Sequence, residues 1–184
     1  MLRVHTDRGV PDEAAAILAE GLVAHVAFVM GGQPYVIPMS YHFDPARPSC
    51  VYLHGGHQSR LMGHLATRAP VCIEVTLVDG LVYSRTALYH SVNYRSVVVF
   101  GRAAASPPPA DVQRALLHDM VARYHPGRTA GRDYEAIPDA HVAATAFIEI
   151  VMEEWSAKAR RGGPKGPLDA DPTARGSAGV IAVR

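Results

Sequence analysis

The stretch YLHGGHQSRLMGHL, residues 52–65, decides how the rest of this chain is read. It opens as the end of a strand that starts at Cys50, breaks at Gly55-Gly56, and resumes as a helix through Leu61, Met62 and Leu65. Glycines let the backbone turn with its N–H groups exposed, and a helix N-terminus carries partial positive charge. Ser59 adds a hydroxyl donor and Arg60 a forked cation, which together form a set of groups suited to a phosphate. The plainer alternative is a polar strand-to-helix loop whose helix is capped by Ser59. Taken alone the stretch favours the plainer reading, and the rest of the chain reverses that preference.

Upstream, Pro11-Asp12-Glu13 starts a short helix that Gly21 ends. Residues 22–30 and 33–43 form a hairpin about Gly31-Gly32. Pro38, inside the second strand, removes a ladder donor and marks an edge, a bulge or backbone facing a ligand. Downstream, Pro70 opens the strand VCIEVTLVD, Asp79-Gly80 signals a second hairpin, and LVYSRTALY answers it. A strand over 91–105 with the buried run 97–100 follows, and PPP at 107–109 launches an amphipathic helix over 110–124 with Val112, Leu116, Met120 and Val121 on one side. Residues 125–140 read as irregular, 144–158 as a last long strand, and the Gly/Pro-rich residues 161–184 as a loosely ordered tail. Six antiparallel strands with few helices between them predict a mainly β fold, a closed or nearly closed barrel over residues 1–160.

The composition narrows the function classes. At 184 residues and 48% hydrophobic the chain is large enough for one real core. A formal net charge of +1 supplies no bulk attraction to nucleic acid or to an anionic membrane, so neither is expected as a partner. Cys50 and Cys72 sit in apolar runs and read as small core hydrophobes of a reducing compartment. The charged opening residues do not read as a secretion signal, and a cytoplasmic location is expected. GxGxxG, Walker, GxSxG and HExxH patterns are all absent.

What remains is an ordered set of segments: HVAFVMGGQPYVIPMSY (25–41), YLHGGHQSR (52–60), APVCIEVTLVDGLVYSR (69–85), NYRSVVVFGRA (93–103) and WSAKARRGGP (155–164). Together they resemble the pyridoxamine 5′-phosphate oxidase-like split barrels, in the flavin-nucleotide-binding branch that includes the nitroimidazole-resistance proteins. The resemblance implies a six-stranded antiparallel split β-barrel with flanking helices, a homodimer with FMN at the dimer interface and a small-molecule substrate. It places Ser59 and Arg60 on the FMN phosphate, with Gly55 and Leu61 beside them. Pro38, Met39, Ser40 and Tyr41 would run along the isoalloxazine ring. Asn93, Tyr94, Arg95 and Ser96 would continue the pocket. The segment with Trp155, Lys158 and Arg160 would come partly from the other subunit. Pyridoxamine phosphate oxidases proper carry a lysine where this chain has Leu61, and their C-terminal substrate-phosphate signature is not recognisable here. Vitamin B6 oxidation is therefore not implied.

The residue chemistry runs alongside. Tyr41, Tyr94 and Trp155 could wall a flat apolar slot, although each alone is better explained as core. Arg95, next to a buried run, needs an anionic or polar partner: a flavin edge or phosphate, or a carboxylate such as Glu74. His54, His57 and His64 with the two cysteines raise a metal site, but their spacing matches no zinc signature. Haem held through histidine is the stronger rival, and a non-catalytic flavin binder is a third. His54 is the one candidate catalytic residue, either a proton donor beside the flavin or a strand-end histidine bonded to backbone. The expected activity is a flavin-dependent reductase or oxidase.

Overall fold

The computed structural model describes residues 5–183; the first four residues, on which the reading of the N-terminus partly rests, lie outside them. A 3-10 turn at Pro11–Glu13 leads into α1 (Ala14–Glu20), followed by β1 (Ala24–Met30), β2 (Gln33–Met39), β3 (Cys50–Gly56) and α2 (Arg60–Ala66). Then come β4 (Val71–Tyr83), β5 (Ser91–Ala103), α3 (Ala110–Tyr124), α4 (Asp139–Ala143), β6 (Thr145–Arg160) and β7 (Gly179–Ala182). The strands order as β2-β1-β4-β5-β6-β3, all antiparallel, with β7 added beside β4. This is the expected half-barrel.

The hairpin turn falls on Gly31 and Gly32, whose φ values of 60° and 79° are the left-handed pair that a two-residue turn requires. Pro34 and Pro38 both sit on β2, an outer strand of the order, where a missing N–H interrupts no second ladder. The Asp79-Gly80 hairpin does not form. β4 runs straight through that pair with a register shift between Val78 and Gly80, and the chain reverses only around residues 84–90. Asp79 is taken by an arginine, described below, and β5 answers β4 along its whole length, so the dipeptide makes a bulge.

Alternation along the strands puts Val26, Ile73, Val75, Val97, Val99 and Ile150 on one face, at most 1% exposed. α1 covers that face with Ile17 and Leu18, and α2 joins the same core with Leu61, Met62 and Leu65. Burying each such side chain stabilises the fold by roughly 1.5–3 kcal/mol. α3 packs on the other face of β3 and β6, where Leu116 meets Cys50, Tyr52 and Phe147. Cys50 is thus a buried hydrophobe and Cys72 a half-buried one, both as free thiols.

The tail is better tied than its composition predicts. Asp169 accepts hydrogen bonds from Ser84 Oγ (2.9 Å) and the Arg85 amide (2.8 Å), while Arg85 Nη1 donates to the Asp169 carbonyl (2.7 Å). Beyond it, β7 pairs with residues 80–83 of β4. The segment 125–140 also holds more than expected, since α4 begins at Asp139. No helix among the described residues is long and apolar enough to cross a membrane.

Candidate functional site

Strand β3 continues through Gly55 and Gly56 before the chain turns, so the break falls after the glycines. Ser59 is the N-cap of α2, its Oγ accepting from the Met62 amide at 3.1 Å. The capping reading is therefore correct for Ser59, and its hydroxyl proton is still free to donate. Arg60 is exposed, lies over the Tyr35 ring at 4.6 Å, and makes no ion pair among the described residues. Leu61 faces the core at 2% exposure. A lysine there would be buried, so this position offers no cation, and its side chain faces away from any cofactor at the loop.

His54 stands on the α3 side of β3. It pairs across the ladder with Phe147, and the two rings stack at 5.9 Å. A hollow of about 370 Å³ opens beside it, lined by Ser40, Leu117, Met120, Val121, Tyr124 and His125. His54 Nδ1 is buried without a hydrogen-bond partner, so the strand-end bond to backbone is not made there. Burial in this apolar setting holds its pKa below the usual histidine range, which leaves a neutral imidazole near pH 7. His42, further along under the same helix, also has an unpartnered Nδ1 and a lowered pKa, again chiefly from burial. Sequence reading missed His42, Tyr124 and His125. The helix period of α3 could have found Tyr124, one turn past Met120, while no local signal marks His42 or His125.

The remaining predicted residues separate by face. Pro38 pairs with His25, His25 with Glu74, Glu74 with Val98 and Val98 with Ser156. The next row is Val36, Ala27, Cys72, Phe100 and Glu154. These rows lie on the face opposite α1, and Val36 and Phe100 on it are 62% and 45% exposed. Ser96 and Lys158, themselves a cross-strand pair, belong to the same face, and Tyr94 pairs with Arg160 beyond them. His54 and Ser96 are not brought together within one chain. Their β6 partners are Phe147 and Lys158, eleven residues apart, or roughly 36 Å of extended strand.

Several expectations are corrected. Tyr41 walls no slot: it is fully buried, its hydroxyl donates to Leu18 O at 2.6 Å, and Arg123 lies 4.5 Å over its ring. Burial pushes its phenol up to about 12 despite the Arg123 guanidinium. Met39 and Gly55 also turn toward the core, packed near each other and Met62. Trp155 is 49% exposed but stands on the α1 face, in a small hollow with Pro11, Asp12 and Ala15. Asn93 is buried and bonded to the Gly162 carbonyl and the Arg160 guanidinium.

Arg95 has its partners, and neither is Glu74. Its Nε and Nη2 donate to Asp79 at 3.0 and 2.7 Å, and its Nη1 and Nη2 to Glu20 at 2.5 and 2.9 Å. This double fork lowers the pKa of both carboxyls and raises that of Arg95. Glu74 instead accepts from Thr76 and meets His25 at 3.2 Å. The three histidines of the metal reading also part: His57 Nε2 lies 3.3 Å from the Ala143 carbonyl and His64 packs on Phe28. Among the described residues no three His, Cys, Asp or Glu side chains converge as metal ligands.

Comparison with known proteins gives a consistent family. Two solved structures superpose with TM-scores of 0.79. One, the FAD and haem binding protein from Mycobacterium smegmatis, is 29% identical over 95% of this chain and 82% of its own. The other, the flavocytochrome Anf3 from Azotobacter vinelandii, is 30% identical over 100% of this chain and 83% of its own. A 5-nitroimidazole antibiotic resistance protein from Bacteroides thetaiotaomicron shares the fold at 19% identity and a TM-score of 0.62, over 80% and 82% of the two chains. Among curated proteins none matches. The family model described as pyridoxamine 5′-phosphate oxidase matches residues 11–159, the whole barrel from the turn before α1 to the end of β6, and this chain belongs to that family.

Proposed function

We propose that this protein binds a flavin nucleotide, FMN, between two copies of the chain and uses it to oxidise or reduce a small molecule. The observation that carries this reading is the exposed face of the sheet. It holds Pro38, Ser96 and Lys158, which the family resemblance assigns to the cofactor, among exposed apolar side chains such as Val36 and Phe100. A second copy seated there would cover the apolar rows, and would bring one chain's Lys158 toward the other's Ser59–Arg60 loop. The distance along β6 argues for that arrangement, since one chain alone holds these groups far apart.

In this site the flavin supplies hydride or electron transfer, and the chain binds it, orients it and excludes water. Arg60, without a carboxylate partner, holds the phosphate with the Ser59 hydroxyl, and Lys158 adds positive charge from the partner copy. His54, neutral near pH 7, would hydrogen-bond at one end of the pocket. The visible spectrum of the purified protein, with mass spectrometry of the released cofactor, tests the reading. Flavin bands and the mass of FMN are expected, and a colourless protein that takes up no flavin would sink it. Sedimentation tests the assembly, with a stable monomer that binds flavin tightly as the contrary result.

A second reading is favoured by one observation. His54 Nδ1 is orphaned beside an apolar hollow that also holds Met120 and His125, a donor set suited to haem. The names of the two relatives at 29% and 30% identity, a haem binding protein and a flavocytochrome, agree with it. Here His54 would hold the haem through its imidazole, and a Soret band abolished by His54→Ala is the expected result. An unchanged Soret band would remove His54 from that role.

A further inference from the structure

A second hollow, of about 510 Å³, lies by α2, where the end of β5, α4 and the start of β6 meet. Its volume is in the range of small-molecule sites. The walls are largely apolar and include Met62, Leu65, Ala66, Val142 and Ala146. None of its lining residues is among those that the family resemblance assigns to the flavin.

One charged group at this hollow is held in an unusual way. Arg68 lies just past the end of α2 with φ 59°, the left-handed conformation that glycine adopts freely and a residue with a Cβ adopts under strain. Its backbone is fixed there: its amide donates to Leu65 O at 2.9 Å, and its carbonyl accepts from Arg102 Nη1 at 3.4 Å. Its Nε donates to Ala103 O at 3.3 Å. The two terminal nitrogens of the guanidinium have no hydrogen bond and no ion pair among the described residues. The chain thus keeps a strained arginine where glycine would end the helix without cost, and its donors remain free beside an apolar cavity.

We propose that this hollow binds a small apolar molecule with one anionic group, a carboxylate or sulfonate on an aromatic or aliphatic body. The body packs against Met62, Ala66 and Ala146, and the anion takes the free end of Arg68 by charge-assisted hydrogen bonds.

The test uses the full chain as purified, with whatever cofactor it carries, and isothermal titration with two probes. One is 1-anilinonaphthalene-8-sulfonate, and the other is its uncharged relative N-phenyl-1-naphthylamine. Both should bind at one saturable site, the sulfonate more tightly. Arg68→Gln should weaken the sulfonate by ~10-fold or more and leave the uncharged probe within about twofold. Arg68→Gly separates the role from folding: it should raise Tm by relieving the backbone strain while weakening the sulfonate equally. Ala66→Trp, which fills the hollow, should abolish both. Equal sulfonate affinity in wild type and Arg68→Gly, or probe binding that survives Ala66→Trp, would overturn the proposal. The absorption of bound cofactor should not change in any variant, so a failure here is distinct from a failure of the flavin reading.

Discussion

Two regions of this molecule carry polar groups that the sequence offered for the cofactor, and they differ in whether those groups are already satisfied. At the far end of β4 and β5, the Arg95 guanidinium is spent on Asp79 and Glu20, and Asn93 is spent on Gly162 and Arg160. At the end of β3, His54 Nδ1 is buried without a partner, and Arg60 has only the face of Tyr35 among the described residues. A group whose donors are all used holds the fold together. The buried His54 nitrogen has lost its water and gained no bond, and the exposed Arg60 guanidinium has no carboxylate partner among the described residues, so both are open to a ligand. The difference shows that the first region serves the fold, and it is why we propose ligand chemistry at the second.

The comparison is broken most directly at His54. If His54 serves the reaction beside bound flavin, His54→Ala should cut turnover with an artificial acceptor by ~10²-fold while flavin affinity stays within a few-fold. Equal turnover would make the orphaned nitrogen a packing feature. Next in size is Arg60→Ala, which should weaken FMN by roughly 10- to 150-fold, the loss of a charge-assisted bond worth about 1.5–3 kcal/mol. Riboflavin, which lacks the phosphate, should bind both forms alike, and full retention of FMN by the variant would reduce the loop to a turn.

The satisfied region should answer in the opposite way. Arg95→Met should leave flavin content unchanged and lower stability by about 1–3 kcal/mol, since it strips Asp79 of its donor. That difference should depend on pH. Asp79 and Glu20 have folded pKa values below their ordinary ones, chiefly through hydrogen bonds from Arg95. Their contribution is therefore complete above the ordinary carboxylate range and fades as pH falls through the lowered values. Denaturant midpoints of wild type and Arg95→Met should converge below about pH 4; a gap that persists in acid would mean the arginine acts through packing. The smallest effect belongs to Tyr41→Phe, about 0.5–1.5 kcal/mol for one lost hydrogen bond. Leu18 O keeps Arg123 as a donor, so no carbonyl is orphaned, and cofactor content should not move.

Much of the barrel was legible because its signals are local. The Gly31-Gly32 turn, the period-2 runs of β1, β5 and β6, and the proline launch of α3 each state their conformation within a few residues. Asp79-Gly80 was misread because a turn dipeptide and a bulge share the same preference, and only the partner strand selects between them. The tail was misread for a related reason: its composition is that of a loop, while its order comes from one carboxylate, Asp169, reaching Ser84 and Arg85.

For the site the division is sharper. The order of residues by itself determined that Ser59 caps a helix, that Arg60 follows it as a cation, and that the barrel belongs to a flavin-associated family. Tertiary structure alone decided which face each strand residue takes and which donors are already used. The side chains of Tyr41 and Leu61 went to the core and Trp155 to the α1 face on the first count, and Arg95 went to its two carboxylates on the second. The physical reason is that whether a hydrogen bond is satisfied depends on pairs of groups. Glu20 and Asp79 stand 75 and 16 residues from the arginine they complete, and no local sequence pattern marks such pairs.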